Sequence, residues 1–413
     1  MRKKYSTIAI SLIYAALLSS CQLDGPDRTR EEFISFSSPA IKMDMSTRAD
    51  GPYDFLDAIP DGTSFGVLGY CLAYNPGETT YNPNSGTSQW SLKRNLCPPS
   101  VFYNTEVTVK DGGAIYNPLK KWYADGVQND GISVELSGTD DFRYTFYAYY
   151  PYDPNLNDGS GFSISPKNSY TAGAPVITYT MPFNGSDKEA TIEGYDEKVP
   201  DAMLSVQQNV QRGSQSVEFN FSHIMTGLGF QINNFSQVAE TVEDESDEGV
   251  DLKIYSIKLK GTFHKSVKVD MTDAVASISY QDTYSGTYTI FEANEGKIIP
   301  WNQDGSRGSI TMEPEIFLRL LPGNEADGYF GPTPDSNDNE NDPNPVLIVD
   351  YQLGENDRKT EQLKRLTNFQ PRSGVRYTAQ INWVNNAFIL IMQANNGEIW
   401  EDGGADDNEI IFM

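Results

Sequence analysis

Few side chains in this sequence have the type and spacing to do chemistry, and the first of them is Cys21. It closes Leu18-Ser19-Ser20-Cys21, behind the basic start Arg2-Lys3-Lys4 and an apolar run from Ile8 to Leu18. That pattern matches a bacterial lipoprotein signal. Residues 1–20 are expected to be removed, leaving Cys21 diacylated through its thiol and acylated on its amine. The apolar run is too short to count as a spanning helix. Two or three acyl chains anchor far more firmly than one, at about 0.8 kcal/mol per buried CH₂. The expected partner of this end is a membrane reached through lipid, and the expected location is the outer membrane and cell surface.

The second is Arg48, in the small polar turn Thr47-Arg48-Ala49. It follows a strand-like run from Phe33 to Met45. A cut after Arg48 would carry lipid and run away together and leave an open sheet edge. Arg28 and Arg30 precede the run, so cutting there would free the lipid alone. The competing reading is an ordinary loop arginine.

The third set is Cys71 and Cys97. Export places them in an oxidising compartment, where a disulfide over a loop of that length contributes about 3 kcal/mol. Two buried thiols on neighbouring strands is the alternative, and both readings stand. Two histidines complete the inventory. His223 follows an alternating strand and reads as a hydrogen-bonded structural group, and neither it nor His264 belongs to an HExxH pair. No GxSxG elbow or phosphate-cradling glycine loop is present. The run Asp335 to Asp342 lacks the central glycine and terminal glutamate of a calcium loop and reads as a solvated loop. No cofactor and no enzymatic activity is expected.

The elements that must position these residues read as all-β. The chain has 413 residues, long enough for two or more cores. Its 20 Phe, 5 Trp and 24 Tyr argue against disorder despite a formal charge of −26. Loss of the leader removes three basic residues and no acid, moving the charge to −29. Such acidity excludes nucleic acid and anionic lipid surfaces as partners. Strands are expected at 101–109, 132–136, 142–150, 176–180, 217–222, 252–260, 275–280, 286–291, 315–321, 346–353 and 374–384. The segment 55–74 turns at Pro60-Asp61-Gly62 and then reads as a strand buried on both faces. In 374–384, Val375, Tyr377, Ala379, Ile381 and Trp383 share one face. Residues 75–100, 240–251 and 324–345 read as loops, 207–216 as a linker, and 358–368 as a weak helix. The division expected is a tether and removable strand at 21–48, one β-sandwich at 49–213 and a second at 214–413.

At 200–232 the sequence resembles a known family. Asp201-Ala202-Met203, paired with Phe219-Asn220-Phe221-Ser222-His223 and the following Leu228-Gly229-Phe230-Gln231-Ile232, is similar to the fimbrillin superfamily of Bacteroidales surface lipoproteins. The leader, Thr47-Arg48-Ala49 with the Asp-Gly-x-x-Phe-Gly-Val strand at 61–67, and the tail Trp400-Glu401-Asp402-Gly403-Gly404 look like the same family. The acidic insertions at 240–251 and 324–345 depart from it. The resemblance implies two transthyretin-like β-sandwich domains and a type V pilus subunit. It further implies that an arginine-specific protease cuts between Arg48 and Ala49, and that another fimbrial subunit lends a strand to the vacated groove. The lending strand would come from Phe388-Ile389-Leu390-Ile391 or from Ile410-Ile411-Phe412. A host or bacterial surface ligand is a further expected partner. The alternative is a monomeric, lipid-anchored module that binds glycan or protein through tryptophans such as Trp90 and Trp122. A surface glycosidase, needing only two carboxylates, has composition alone in its favour.

Overall fold

The structure, a computed structural model, describes residues 33–41, 56, 58–73, 98–122, 142–156, 161–173, 175–182, 189–191, 199–211, 216–234, 251–271, 276–300, 308–311, 318–332, 345–363, 369–384, 387–394 and 409–410. Among the described residues every regular element is a strand. The first half holds β1 (Phe36–Ser37), β2 (Ala40–Ile41), β3 (Ser64–Ala73), β4 (Phe102–Lys110), β5 (Gly113–Ile115), β6 (Phe142–Tyr150), β7 (Gly161–Ser165), β8 (Val176–Thr180) and β9 (Glu189–Thr191). Then come β10 (Met203–Gln211), β11 (Asn220–His223), β12 (Thr226–Asn234), β13 (Leu252–Asp270), β14 (Ser277–Ile299), β15 (Gly308–Thr311) and β16 (Leu318–Leu320). The last are β17 (Gly323–Asn324), β18 (Gly328–Tyr329), β19 (Val346–Leu353), β20 (Lys359–Leu363), β21 (Arg376–Val384), β22 (Ala387–Ala394) and β23 (Glu409–Ile410).

The first sheet runs β1-β5-β4-β3-β6-β10-β11-β2. Its middle is built from aromatic and β-branched residues that suit a pleated, buried surface. β3 and β6 are buried on both faces. Phe65, Val67, Tyr144, Phe146 and Ala148 belong to one hydrophobic core, whereas Leu68, Tyr70, Tyr147 and Tyr149 belong to a second. Gly66 pairs with Tyr149, whose ring occupies the space a Cβ would need, so a side chain there would displace the ring.

The second core is shared with the remaining sheets. One is ordered β15-β12-β21-β22-β23, with β16 also on β12. Another is ordered β20-β19-β13-β14-β9, with β7 and β8 joined through β13. β13 and β14 form a long antiparallel hairpin, read in the sequence as several short strands. In β21, Tyr377, Ala379, Ile381 and Trp383 are buried as the alternation requires. Asn382 on the opposite face is buried too, and its amide oxygen accepts from Asn233 at 2.7 Å, which satisfies the buried amide.

Several expectations are corrected. Residues 207–211 complete β10 and pair with β6, so the glutamine-rich text is strand there and not linker. Residues 359–363 of the expected helix form β20, an antiparallel partner of β19. Pairing also crosses residue 213 both ways. β11 lies next to β10 in the first sheet, and β8 and β9 pair with β13 and β14. A cut in the chain at 213 therefore does not separate the strands into two sets.

Candidate functional site: a groove filled by the chain's own N-terminal run

β1 and β2 occupy opposite ends of the first sheet in strand order, yet both belong to one run, residues 33–41. Phe36 makes the join: it pairs antiparallel with Ala114 of β5 and bridges Val217 in parallel on the other side. Further along, Ala40 and Ile41 pair with Asn220 and Phe221 of β11. The run thus closes the sheet on itself, and without it two margins would be left unpaired.

Backbone hydrogen bonds hold the run on both sides. The Ile34 amide donates to the Lys120 carbonyl at 2.9 Å. On the other side Val217 N–H donates to Ser35 O at 2.8 Å, Ser37 N–H to Val217 O at 3.1 Å, and Ala40 N–H to Phe219 O at 2.8 Å. The hydroxyls of Ser35 and Ser216 lie 2.9 Å apart. Tyr116 reaches across from the end of β5 and donates its hydroxyl to Ile34 O at 2.7 Å. Burial pushes the Tyr116 phenol up to about 12.

Side chains fill the groove in strand alternation. Phe33 stays partly outside, with the Lys121 ammonium 5.3 Å from its ring centre. Ile34 and Phe36 point inward and are buried. Phe36 meets the rings of Phe102, Tyr116, Phe146 and Phe219 at centroid distances of 5.4–6.0 Å. Each of the two buried apolar side chains contributes about 1.5–3 kcal/mol. The run is therefore a structural part of its core, held by contacts that end with the run.

A polar clasp sits beside the groove. Asp201, buried, accepts the Leu56 amide through Oδ2 at 2.8 Å and meets His223 Nδ1 through Oδ1 at 2.9 Å. The two residues picked out by the 200–232 motif are thus in contact, with His223 in the structural role expected. His264 is also structural: Nε2 donates to Gly328 O at 2.8 Å, and burial holds its pKa below the usual histidine range.

Cys21, Arg48, Ala49, Trp90, Cys97, Ile411 and Phe412 lie outside the described residues. Cys71 is on β3 opposite Tyr144 and half-buried. Phe388, Ile389, Leu390 and Ile391 lie in β22, seated against β21 of their own chain, with Phe388 and Leu390 buried. Ile410 of β23 pairs with Leu390. Trp122 is 2% exposed, in edge contact with Tyr144 at 4.7 Å, so it is a core residue and not a surface platform for sugar. Sequence patterning found the run but missed its two-sided pairing, because Ala114 and Val217 carry no mark that would couple them.

Fold and groove together define an all-β chain whose first sheet is completed by its own N-terminal segment. Residues 138–329 match the family model described as Fimbrillin-like. The 200–232 motif lies inside the match. The chain is 22% identical to the fimbrium subunit Fim1C of Phocaeicola vulgatus over 351 residues, covering 81% of this chain and 85% of that protein. Among solved structures it is similar to a fimbrial protein from Bacteroides vulgatus, at 16% identity and a TM-score of 0.47, over 80% of this chain and 91% of the other.

Proposed function

We propose that this protein is a fimbrial subunit, structural or adhesive, that is exported to the cell surface as a lipoprotein through Cys21 and assembles by strand exchange. In the precursor the run 33–41 fills the groove and prevents premature pairing. Cleavage between Arg48 and Ala49 separates the run from the body, and a strand from another subunit takes its place. The single observation that carries this reading is the position of Phe36, paired at once with β5 and bridged to Val217. A strand bonded on both sides by backbone groups can be replaced by another of different sequence, since the N–H and C=O rows are common to all strands.

The lending strand in this reading is the tail around Ile410-Ile411-Phe412. β22 is the poorer donor: withdrawing it would expose Phe388, Leu390 and Met392, now buried, at about 1.5–3 kcal/mol each. A Cys71–Cys97 bridge would brace β3, in the middle of the first sheet.

The test is the N-terminal residue of the protein on intact cells. A start at Ala49, in material that runs as a polymer ladder, is expected. A start at acylated Cys21, in protein that stays monomeric, would overturn the reading.

A further inference from the structure

β14 has one margin that its sheet covers only in part. It pairs with β13 from Ser277 to Ile299, but on its other side the described residues offer it only β9, at Thr287–Thr289. Between Ser277 and Asp282 that side meets no strand among the described residues. Ile278, within this stretch, is 46% exposed. A free row of N–H and C=O groups beside an exposed isoleucine is a template on which another strand can pair.

One side chain occupies the row. Tyr280 N–H donates to Asp327 Oδ2 at 3.0 Å, where a neighbouring strand would offer a carbonyl. Alternate residues of a strand send their backbone groups to opposite sides, so Ile278 and Asp282 share the free side with Tyr280. Gln281 faces the other way, toward β13, where its carbonyl accepts from Ser266 Oγ at 2.8 Å.

Asp327 is held in place from behind. Asn324 Nδ2 donates to the same Oδ2 at 2.9 Å, and the Asp327 and Ala326 amides donate to Asn324 Oδ1 at 2.8 and 2.9 Å. The turn carrying these residues joins β17 to β18 and is fastened to β13 by His264. Nε2 of that histidine donates to Gly328 O at 2.8 Å, and its backbone amide donates to Phe330 O at 2.7 Å. The carboxylate cannot swing aside without giving up bonds within its own turn. The free stretch also ends abruptly: Asp282 has a φ of 46°, a left-handed conformation that an extended pairing strand does not continue.

We propose that Asp327 is a blocking residue, which withholds the β14 margin from strand addition by the same margin of a second copy. Two such margins laid antiparallel about a two-fold axis would otherwise exchange backbone bonds and cover Ile278. Pairing needs Tyr280 N–H for an incoming carbonyl, and the carboxylate already holds it. A strand forced into place would press its carbonyl oxygens against a charged oxygen and strip that charge of water. The block keeps copies apart at this margin whatever happens at the groove, so the inference does not draw on strand exchange.

The test measures self-association of the full, uncut chain by sedimentation, with the run seated so that the groove takes no part. Asp327→Ala is expected to associate at about tenfold lower concentration than the unaltered protein. Adding Ile278→Pro removes a donor from the free row and spares the β13 ladder, so it should return Asp327→Ala to the unaltered behaviour. An Asp327→Ala chain that associates no more readily than the unaltered one overturns the proposal. Association that persists with Ile278→Pro also overturns it, since the contact would then lie elsewhere. Should Asp327→Ala fail to fold, amide exchange in the unaltered protein decides. Tyr280 N–H should exchange about tenfold more slowly than Ile278 N–H on the same side, and equal rates overturn the block.

Discussion

The hydroxyl of Tyr116 donates to the carbonyl of Ile34 at 2.7 Å and accepts the Lys120 amide at 3.2 Å, so one phenol pins the N-terminal run to the margin it covers. Tyr116→Phe removes that pin and keeps the ring. In chain cut after Arg48 the run should then leave about fivefold faster, from a loss of about 1 kcal/mol. The phenol also sets a pH dependence. Its folded pKa is raised by burial to about 12, so its contribution is whole below about pH 10 and is lost as pH rises through the folded value. Run release in alkali should therefore steepen in the native protein more than in Tyr116→Phe, as followed by fluorescence of a labelled run.

Phe36 touches four rings in the groove. Phe36→Ala should destabilise the uncut chain by about 3–5 kcal/mol in urea unfolding, as for other buried large-to-small changes. The same substitution should leave assembled polymer unaffected, because there the position belongs to a different strand. An equal loss in both forms would mean the run never leaves.

Asp201 joins three segments by accepting from Leu56 N–H and meeting His223 Nδ1. Asp201→Ala should cost about 3 kcal/mol, leaving a buried amide and an imidazole nitrogen without this acceptor. Asp201→Asn keeps one acceptor oxygen and should cost less. Denaturant midpoints of the two variants, side by side, check the order.

His264 gives the fold an acid limit. Burial is the main cause lowering its pKa, partly opposed by the Gly328 carbonyl and the Asp327 charge. The unfolded chain therefore takes up the proton first as pH falls. Stability from this group is complete above about pH 6.5 and declines below it, until the folded histidine also titrates. His264→Gln should flatten that part of the profile, measured as unfolding free energy at pH 5 and pH 7.5.

Much of the strand pattern was legible because burial writes itself into alternation. Phe142–Tyr150, Val176–Thr180 and Val346–Leu353 fall where aromatic and β-branched residues predict them. The misreadings have a common cause. Residues 207–211 and 359–363 are strands whose polar sequence mimics linker or helix. Sheet position, which is set by distant partners, overrode local composition there. The groove was not legible: its walls come from residues near 102, 116, 146 and 219, and only folding brings them together. Trp122 illustrates the same limit. Nothing beside it in the sequence distinguishes a core indole from an exposed one, and its burial follows from the antiparallel bridge at Lys121.

The most direct test of the central claim fastens the run in place. The hydroxyls of Ser35 and Ser216 are 2.9 Å apart, which puts sulfur atoms at the same positions within bonding reach after Ser35→Cys and Ser216→Cys. After cleavage at Arg48, the size distribution of the oxidised double variant is compared with that of the same protein in reductant. The account predicts monomer while the bridge holds and a polymer ladder once it is reduced. A ladder that forms with the bridge intact would contradict it.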